Sequence, residues 1–332
     1  MLASNYPYAS AKLRALEPHI LDATDIERMV DAPDFNTAFK VLNDTDYADN
    51  LLEVEPINYR DALREDYVQL YQLLNQIIPD KILFKLLYLH RDFLNIKLLF
   101  KAKYFEKMDE IKDSLTTDTV YNTDWLRELI LNQKNLGLDN EIKKIIIDAD
   151  KAFSEKFSPD FIDSYLTKAY FDWQKKLAKK SNNQYIINLI EIQIDNANVI
   201  SFLRAKRLKL SKDRLADLLI EGGRLSIKTL ISNFEEDLAA IKPTISSYYD
   251  KVVIEKFDIC CEKDYLFEFE KALQDYITRY LQKAKRIAYG PEVVVAYFWA
   301  KQIAVQNVRI IMTGKLNQIE GEEIKKTLRQ VY

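Results

Sequence analysis

Asn95-Ile96-Lys97-Leu98-Leu99-Phe100-Lys101-Ala102-Lys103 returns further along the chain as Asn198-Val199-Ile200-Ser201-Phe202-Leu203-Arg204-Ala205-Lys206. It returns again, more loosely, as Asn307-Val308-Arg309-Ile310-Ile311-Met312-Thr313-Gly314-Lys315. All three copies share the Asn, a β-branched residue at +1, an apolar residue at +4, Ala or Gly at +7 and Lys at +8. Asp92 and Asp195 stand three places before the first two Asn residues, where the third copy has Ala304. The copies lie 103 and 109 residues apart, and a period near 100 implies repeated small domains rather than a short-unit solenoid.

At about 100° per residue, positions 0, +4 and +7 fall on one helical face. Each copy thus lines up a polar amide (Asn95, Asn198, Asn307), an apolar residue and a very small one (Ala102, Ala205, Gly314). The small residues allow a neighbouring helix to approach closely, and the Asn needs hydrogen-bond partners if it is buried. Two readings follow: a buried anchor that fixes helix register inside each domain, or three equivalent surfaces offered to one partner.

Composition sets the class. Only 6 glycines and 8 prolines occur in 332 residues, no run alternates strictly, and Leu, Ile, Lys and Glu abound, so the chain reads as all-α. With 48% hydrophobic residues it can fill two or three cores. Charge is dense but balanced, 48 basic against 51 acidic, which argues against nucleic-acid binding. Cys260 and Cys261 are adjacent and cannot staple distant segments, which suits a reducing cytosol. No stretch offers the ~18 apolar residues of a membrane span, the best run being 293–300, and residues 1–8 lack signal-peptide character.

Along the chain the spacing predicts helices at 10–21, 22–30 (capped near Thr24 or Asp25), 34–42 and 58–76, then the first repeat helix at 81–107. A second unit runs through 125–131, 140–157 and 160–180 to the second repeat helix at 184–210. After a helix capped by Ser211-Lys212-Asp213, Gly222-Gly223 are expected as left-handed caps. A third unit passes a turn at Pro243 and a helix at 263–288 before the third repeat helix, 292–316. Tyr67, Tyr165 and Tyr276 precede their Asn residues by 28, 33 and 31, so the repetition extends beyond nine residues. A second correspondence joins Leu16 to Tyr47 with Leu215 to Tyr248, so domain edges interleave. The expected architecture is three similar helical bundles, at 1–110, 111–215 and 216–332.

Chemistry leaves little trace. His19 and His90 are the only histidines, with no second His or Cys at ligand spacing, so neither a metal nor any other cofactor is expected. His90 fits a packed or interfacial imidazole better than a general base. Thr313-Gly314-Lys315 resembles the end of a phosphate loop, but Arg309 stands where that loop needs Gly and Leu316 where it needs Ser or Thr. No intrinsic active site is expected. Basic residues gather on the repeat helices: Lys97, Lys101 and Lys103; Arg204, Lys206, Arg207 and Lys209; Arg309 and Lys315. They either complement helix C-terminal dipoles, at about 0.3–1 kcal/mol each, or converge on a positive concavity that one partner enters.

The opening Tyr6-Pro7-Tyr8-Ala9-Ser10-Ala11-Lys12-Leu13-Arg14, the ending Gly321-Glu322-Glu323-Ile324-Lys325-Lys326-Thr327-Leu328-Arg329-Gln330-Val331-Tyr332 and the three units between them resemble one family. It is that of the C subunits of V-type and archaeal-type rotary ATPases, whose eukaryotic members are called d. Asp92-Phe93-Leu94-Asn95-Ile96-Lys97 is similar to its Asp-x-x-Asn-x-Lys core, and Asn43-Asp44-Thr45-Asp46-Tyr47 to its early Leu-x-x-Thr-x-Tyr segment. The size is similar to that of bacterial members.

That resemblance implies a mechanical part. Members form a funnel of three domains about a pseudo-threefold axis, seated on the cytoplasmic face of the membrane proteolipid ring. The funnel receives the central shaft, made of the D and F subunits, with transient stator contacts, in rotary proton or sodium transport. The alternative is a helical adaptor between soluble proteins outside any ATPase; a further one is an all-helical enzyme without a recognised motif. Of the basic residues, Lys97, Lys101, Arg204, Arg207, Arg309 and Lys315 are the expected partner-binding set, and joint charge reversal of Lys97, Arg204 and Arg309 is expected to weaken shaft binding.

Overall fold

The structure, a computed structural model, describes residues 6–45, 47–51, 54–105, 111, 114–155, 158–263 and 265–332. All regular structure among them is helical. The chain opens with α1 (Pro7–Leu16), α2 (Ala23–Asp31), α3 (Phe35–Val41), α4 (Ala48–Leu51) and α5 (Tyr59–Ile77). It continues with α6 (Lys81–Phe105), α7 (Thr123–Asn132), α8 (Asn140–Glu155), α9 (Pro159–Ser181), α10 (Gln184–Arg207), α11 (Lys212–Leu218) and α12 (Ile227–Ser232). It closes with α13 (Lys242–Ser246), α14 (Lys251–Lys263), α15 (Leu266–Leu281), α16 (Pro291–Leu316) and α17 (Gly321–Thr327). The expected ends of helices 81–107 and 140–157, and Asp46, lie outside the described residues.

Two compact units result, one from the described residues of 1–79 and 232–332, the other from 80–231. In the second, α6 packs against α7 and α9, α8 against α7 and α9, and α10 against α9 and α11. Leu89, Ile96, Leu99 and Phe100 of α6 are buried, as are Ile194, Val199 and Phe202 of α10. A helix apolar on most sides is stable only when neighbours cover those sides. α10 is long and apolar enough to cross a membrane, yet 61% of its apolar window is buried inside the protein, which is how a core helix passes that test. Caps mark the ends: Ser158 Oγ accepts from Phe161 N at 3.1 Å ahead of Pro159, and Asn183 Oδ1 accepts from Ile186 N at 3.1 Å.

In the other unit α16 is the axis. It packs against α1, α2, α3, α5, α15 and α17, so segments from both ends of the sequence build one core. Val293, Val305, Val308 and Ile311 of α16 are fully buried, and Met29, Ala38 and Leu63 join them from α2, α3 and α5. α2 starts at Ala23, within a residue of the expected 22–30, but its cap is Asp22 rather than Thr24 or Asp25, with Asp25 completing a reciprocal capping box. α1 stops at Leu16, and Pro18 follows in a tight turn over Glu17–His19.

The helix expected over 263–288 is present as the shorter α15, and it forms the second arm of a hairpin whose first arm, α14, the sequence reading did not include. α14 ends at Lys263 and α15 begins at Leu266, so that Phe257 and Phe269 meet edge-on at 5.5 Å. Arg279 then grips Asp250 through two nitrogens, at 2.8 and 3.0 Å, locking the arms antiparallel. Side chains twelve residues apart cannot meet that way on one continuous helix, so the chain reverses direction between the two rings.

One buried ion pair crosses this core: Lys301 Nζ donates to Asp66 Oδ1 at 2.6 Å with both side chains 7% exposed, and the ammonium lies 5.1 Å from the Tyr47 ring centre. Removing one partner strands the other's charge away from water. Asp66→Ala is therefore expected to cost about 3–5 kcal/mol, while Asp66→Leu combined with Lys301→Met costs much less than the single change; denaturant melts of the singles and the double check the non-additivity.

Candidate functional site

The shared Asn is where each repeat does its work. Asn95 Nδ2 donates to Thr116 O at 2.8 Å, and its Oδ1 accepts from Thr116 N at 3.0 Å. Asn198 pairs in the same way with Ile220, both bonds at 2.8 Å. Asn307 does so with Arg329, at 3.0 and 2.8 Å. The three Asn residues are 0% exposed. A side-chain amide carries one donor side and one acceptor side, so it satisfies both backbone groups of a single residue as a neighbouring strand would. The residue held lies 21, 22 and 22 positions beyond its Asn.

Asp92 and Asp195 reinforce the first two clamps. Asp92 Oδ2 and Oδ1 accept from Val120 N and Tyr121 N at 3.0 and 2.9 Å. Asp195 Oδ1 accepts from Leu225 N at 2.9 Å, while Arg224 Nε donates to Oδ2 at 2.7 Å. The next residue in each linker is a helix cap: Asn122 for α7 and Ser226 ahead of α12. Gly223 is required here, since a Cβ would sit 2.2 Å from Asp195 Oδ1. Only Gly222 of the Gly222-Gly223 pair has a left-handed backbone, and neither caps α11, which ends at Leu218. The clamp explains the difference: Ile220 must be extended to reach Asn198, so the helix stops before the glycines.

In the third copy Ala304 faces a cavity of about 350 Å³, also lined by Leu21, Asp22, Asn307 and Tyr332. Ala304 supplies no acceptor, and a carboxylate of α15, Asp275, takes a different N–H, that of Gln330 next to the clamped Arg329, at 2.8 Å. Small residues at +7 are buried in all three copies. At Gly314 a Cβ would lie 2.6 Å from Ile324 Cδ1, so the absence of a side chain lets α17 seat on α16.

Most of the basic set is engaged within the protein. Lys97 Nζ donates to Thr167 Oγ1 at 2.8 Å, and burial lowers its pKa despite the nearby Asp163 carboxylate. Lys101 pairs with Asp163 at 2.7 Å, and Lys103 with Asp150 at 2.6 Å and with Ile130 O at 2.9 Å, near the end of α7. Lys315, the +8 residue of the third copy, donates to Ala32 O just past the end of α2. Lys206 lies 5.8 Å from the Phe202 ring centre. Arg204, Arg207, Lys209 and Arg309 are solvent-exposed, the last with its guanidinium 6.0 Å from the ring centre of Tyr67. Tyr165 stacks on Phe153 and Tyr276 on Tyr249, so each marker Tyr occupies the helix before its repeat helix: α5, α9 or α15. His90 is exposed, its ring edge-on to Tyr170.

Sequence reading missed how these helices end. Lys209 and Gln318, both at +11, are left-handed at φ 51° and 56°. In each case the next N–H returns to the small residue at +7, Leu210 to Ala205 O and Ile319 to Gly314 O, both at 2.9 Å. The signal was hidden because neither position carries the expected Gly. Beside these turns Leu208 and Leu316 stand 70% and 47% exposed.

The fold and these clamps define an all-helical protein built on a repeated buried-amide motif. The sequence profile described as ATP synthase (C/AC39) subunit matches residues 9–327, and the chain belongs to that family. It is 21% identical to the C subunit of the V-type sodium ATPase of Enterococcus hirae, over 96% of this chain and 97% of that one. It is 24% identical to the C subunit of the A-type ATP synthase of Methanocaldococcus jannaschii, with 97% and 86% covered, and 25% identical to that of Desulfurococcus sp., with 98% and 91% covered.

Asn198→Leu keeps the volume but leaves the N–H and C=O of Ile220 buried without partners. Each such group costs about 1–3 kcal/mol, so a loss of about 2–5 kcal/mol is expected. Calorimetry is expected to show a midpoint lowered by roughly 5–15 °C, and an unchanged midpoint would mean that the clamp carries no load.

Proposed function

We propose that this chain is a non-catalytic rotor component of a V-type ATPase, a socket that couples the central shaft, made of the D and F subunits, to the membrane proteolipid ring. In this reading it sits as a peripheral component on the cytoplasmic face, meets the stator only in passing, and passes torque during ATP-driven proton or sodium transport. The socket is three similar helical bundles, near 1–110, 111–215 and 216–332, disposed as a pseudo-threefold funnel.

The observation that carries the reading is the threefold clamp. The same side chain holds the same kind of linker at Asn95, Asn198 and Asn307, although those linkers otherwise differ in sequence. Torque transfer demands parts that do not slide, and a doubly bonded, fully buried amide fixes each linker to its helix in one register only. Close packing and six glycines in 332 residues add stiffness. The residues common to the repeats are consumed by packing rather than grouped around a substrate, which favours a mechanical over a catalytic role. The names of the relatives, components of a sodium ATPase and of ATP synthases, support assignment to an ion-translocating complex. The exposed Leu208 and Leu316, with Arg204, Arg207 and Arg309, are the contact residues we assign to partners.

A tagged chain recovered from detergent-solubilised membranes of its own organism is expected to bring down a proteolipid ring and the other ATPase components; recovery with soluble proteins alone would favour the adaptor. Reversing Arg204, Arg207 and Arg309 to Glu is expected to weaken capture of a D–F shaft by about tenfold or more, because exposed charges steer and orient docking without supporting the core. Unchanged helicity and melting midpoint are expected alongside, and unchanged capture would remove the basic residues from the shaft contact.

A further inference from the structure

Two repeat helices end in the same backbone turn but not in the same charge. At the end of α10 the exposed side chains include Arg204, Arg207, Leu208 and Lys209. At the end of α16 they include Leu316, Gln318, Ile319 and Glu320, and the +8 lysine, Lys315, is turned away onto Ala32 O. One turn geometry therefore presents a cationic surface in the second repeat and an acidic one in the third.

The α16 end is also concave. A groove of about 620 Å³ is lined by Leu316, Ile319 and Glu320 from the turn between α16 and α17, and by Asp34 and Phe35 from the start of α3. Leu316 and Ile319 are 47% and 46% exposed, and apolar side chains gathered in an open groove mark an interaction site. Its parts are already held in place. Ile319 N donates to Gly314 O at 2.9 Å, the Phe35 ring stands edge-on to Tyr59 at 6.1 Å, and Asp34 Oδ1 accepts from Thr37 N at 2.7 Å. A preformed groove spends little ordering entropy on binding.

Charge at its rim is one-sided. Asp34 and Glu320 make no ion pair among the described residues, whereas the lysines of α17 are taken up by other acids. Lys325 lies 3.1 Å from Asp31 and 3.3 Å from Glu322, and Lys326 pairs with Glu323. The Thr37 N–H, helped at longer range by Lys40, holds the Asp34 carboxyl below the usual carboxylate range, so this rim is ionised at neutral pH. Such a rim repels nucleic acid and anionic lipid alike, which leaves a protein segment of opposite charge.

We propose that this groove docks a basic, apolar segment of a partner protein, with lysine or arginine meeting Asp34 and Glu320 and leucine-sized side chains covering Leu316, Ile319 and Phe35. The docking rests on the assignment of Leu316 to a partner contact and narrows it. A surface that complements the acidic groove places like charges against Arg204, Arg207 and Lys209, so the α10 end meets a different surface.

The test titrates the full chain, with labelled Leu and Ile methyl groups, with a short peptide alternating lysine and leucine and with its glutamate–leucine counterpart. The lysine peptide is expected to shift the Leu316 and Ile319 methyl resonances with a Kd below about 1 mM, and the glutamate peptide to leave them in place. Asp34→Asn with Glu320→Lys is expected to weaken lysine-peptide binding by about tenfold or more, the Asn keeping the cap on α3. Asp148→Asn with Glu235→Lys changes the net charge equally at exposed positions outside the groove and is expected to alter binding by less than about twofold. Leu316→Ser with Ile319→Ser, at positions already exposed, is expected to weaken binding as much as the charge change does. No shift with the lysine peptide, an equal response to both peptides, or a groove variant that binds as well as the distant one overturns the docking site. Recovery of the chain with ATPase components is read separately, so the rotor reading and the groove fail independently.

Discussion

A backbone linker that enters a helical core brings an N–H and a C=O that no helix will satisfy, and this protein answers the problem three times with one primary amide. Every other regularity depends on that pairing. Once Thr116 or Ile220 is pinned, the chain has five residues in which to turn before Asn122 or Ser226 caps the next helix. The repeat helix then reaches further: its +8 lysine bonds a carbonyl near the end of α7 in one copy and just past α2 in another. One short stretch thereby fixes its own register, the linker after it and the helix beyond.

The third copy shows which parts of the device are negotiable. Its Asn and its small residue persist, but Ala304 offers no carboxylate, and Asp275 on the preceding helix instead accepts from Gln330, the residue next to the clamped one. Its +8 lysine meets α2, which comes from the opposite end of the sequence, so the unit is completed by residues more than 250 positions away. What persists across copies is the geometry that satisfies buried backbone, and what varies is the residue that provides it.

The role proposed above requires that the protein stay rigid while partners move against it. The repeat lysines are mostly drawn inward, onto Thr167, Asp163, Asp150 and Ala32, where they stiffen contacts between helices. The arginines of the same repeats remain exposed, as do Leu208 and Leu316 at the helix ends. Interior cohesion and solvent exposure thus fall to different residues of one repeated stretch.

Most helices, the repetition, and the cap at Ser211 were legible from residue order, because each depends on side chains within a turn or two of one another. The face shared by Asn, apolar residue and small residue was legible for the same reason. The partners were not: an Asn at a helical position announces that it needs a donor and an acceptor, and nothing local says that Ile220 or Arg329 will provide them. Nor could periodicity reveal that Phe257 and Phe269 meet across a helical hairpin, that Gly223 is kept small by Asp195, or that Lys97 turns toward Thr167. Sequence alone determined the all-α class, the threefold repeat and the residues that must find partners. The tertiary structure decided which distant backbone each one holds, because burial and hydrogen bonding are settled by whatever the folded chain brings within 3 Å.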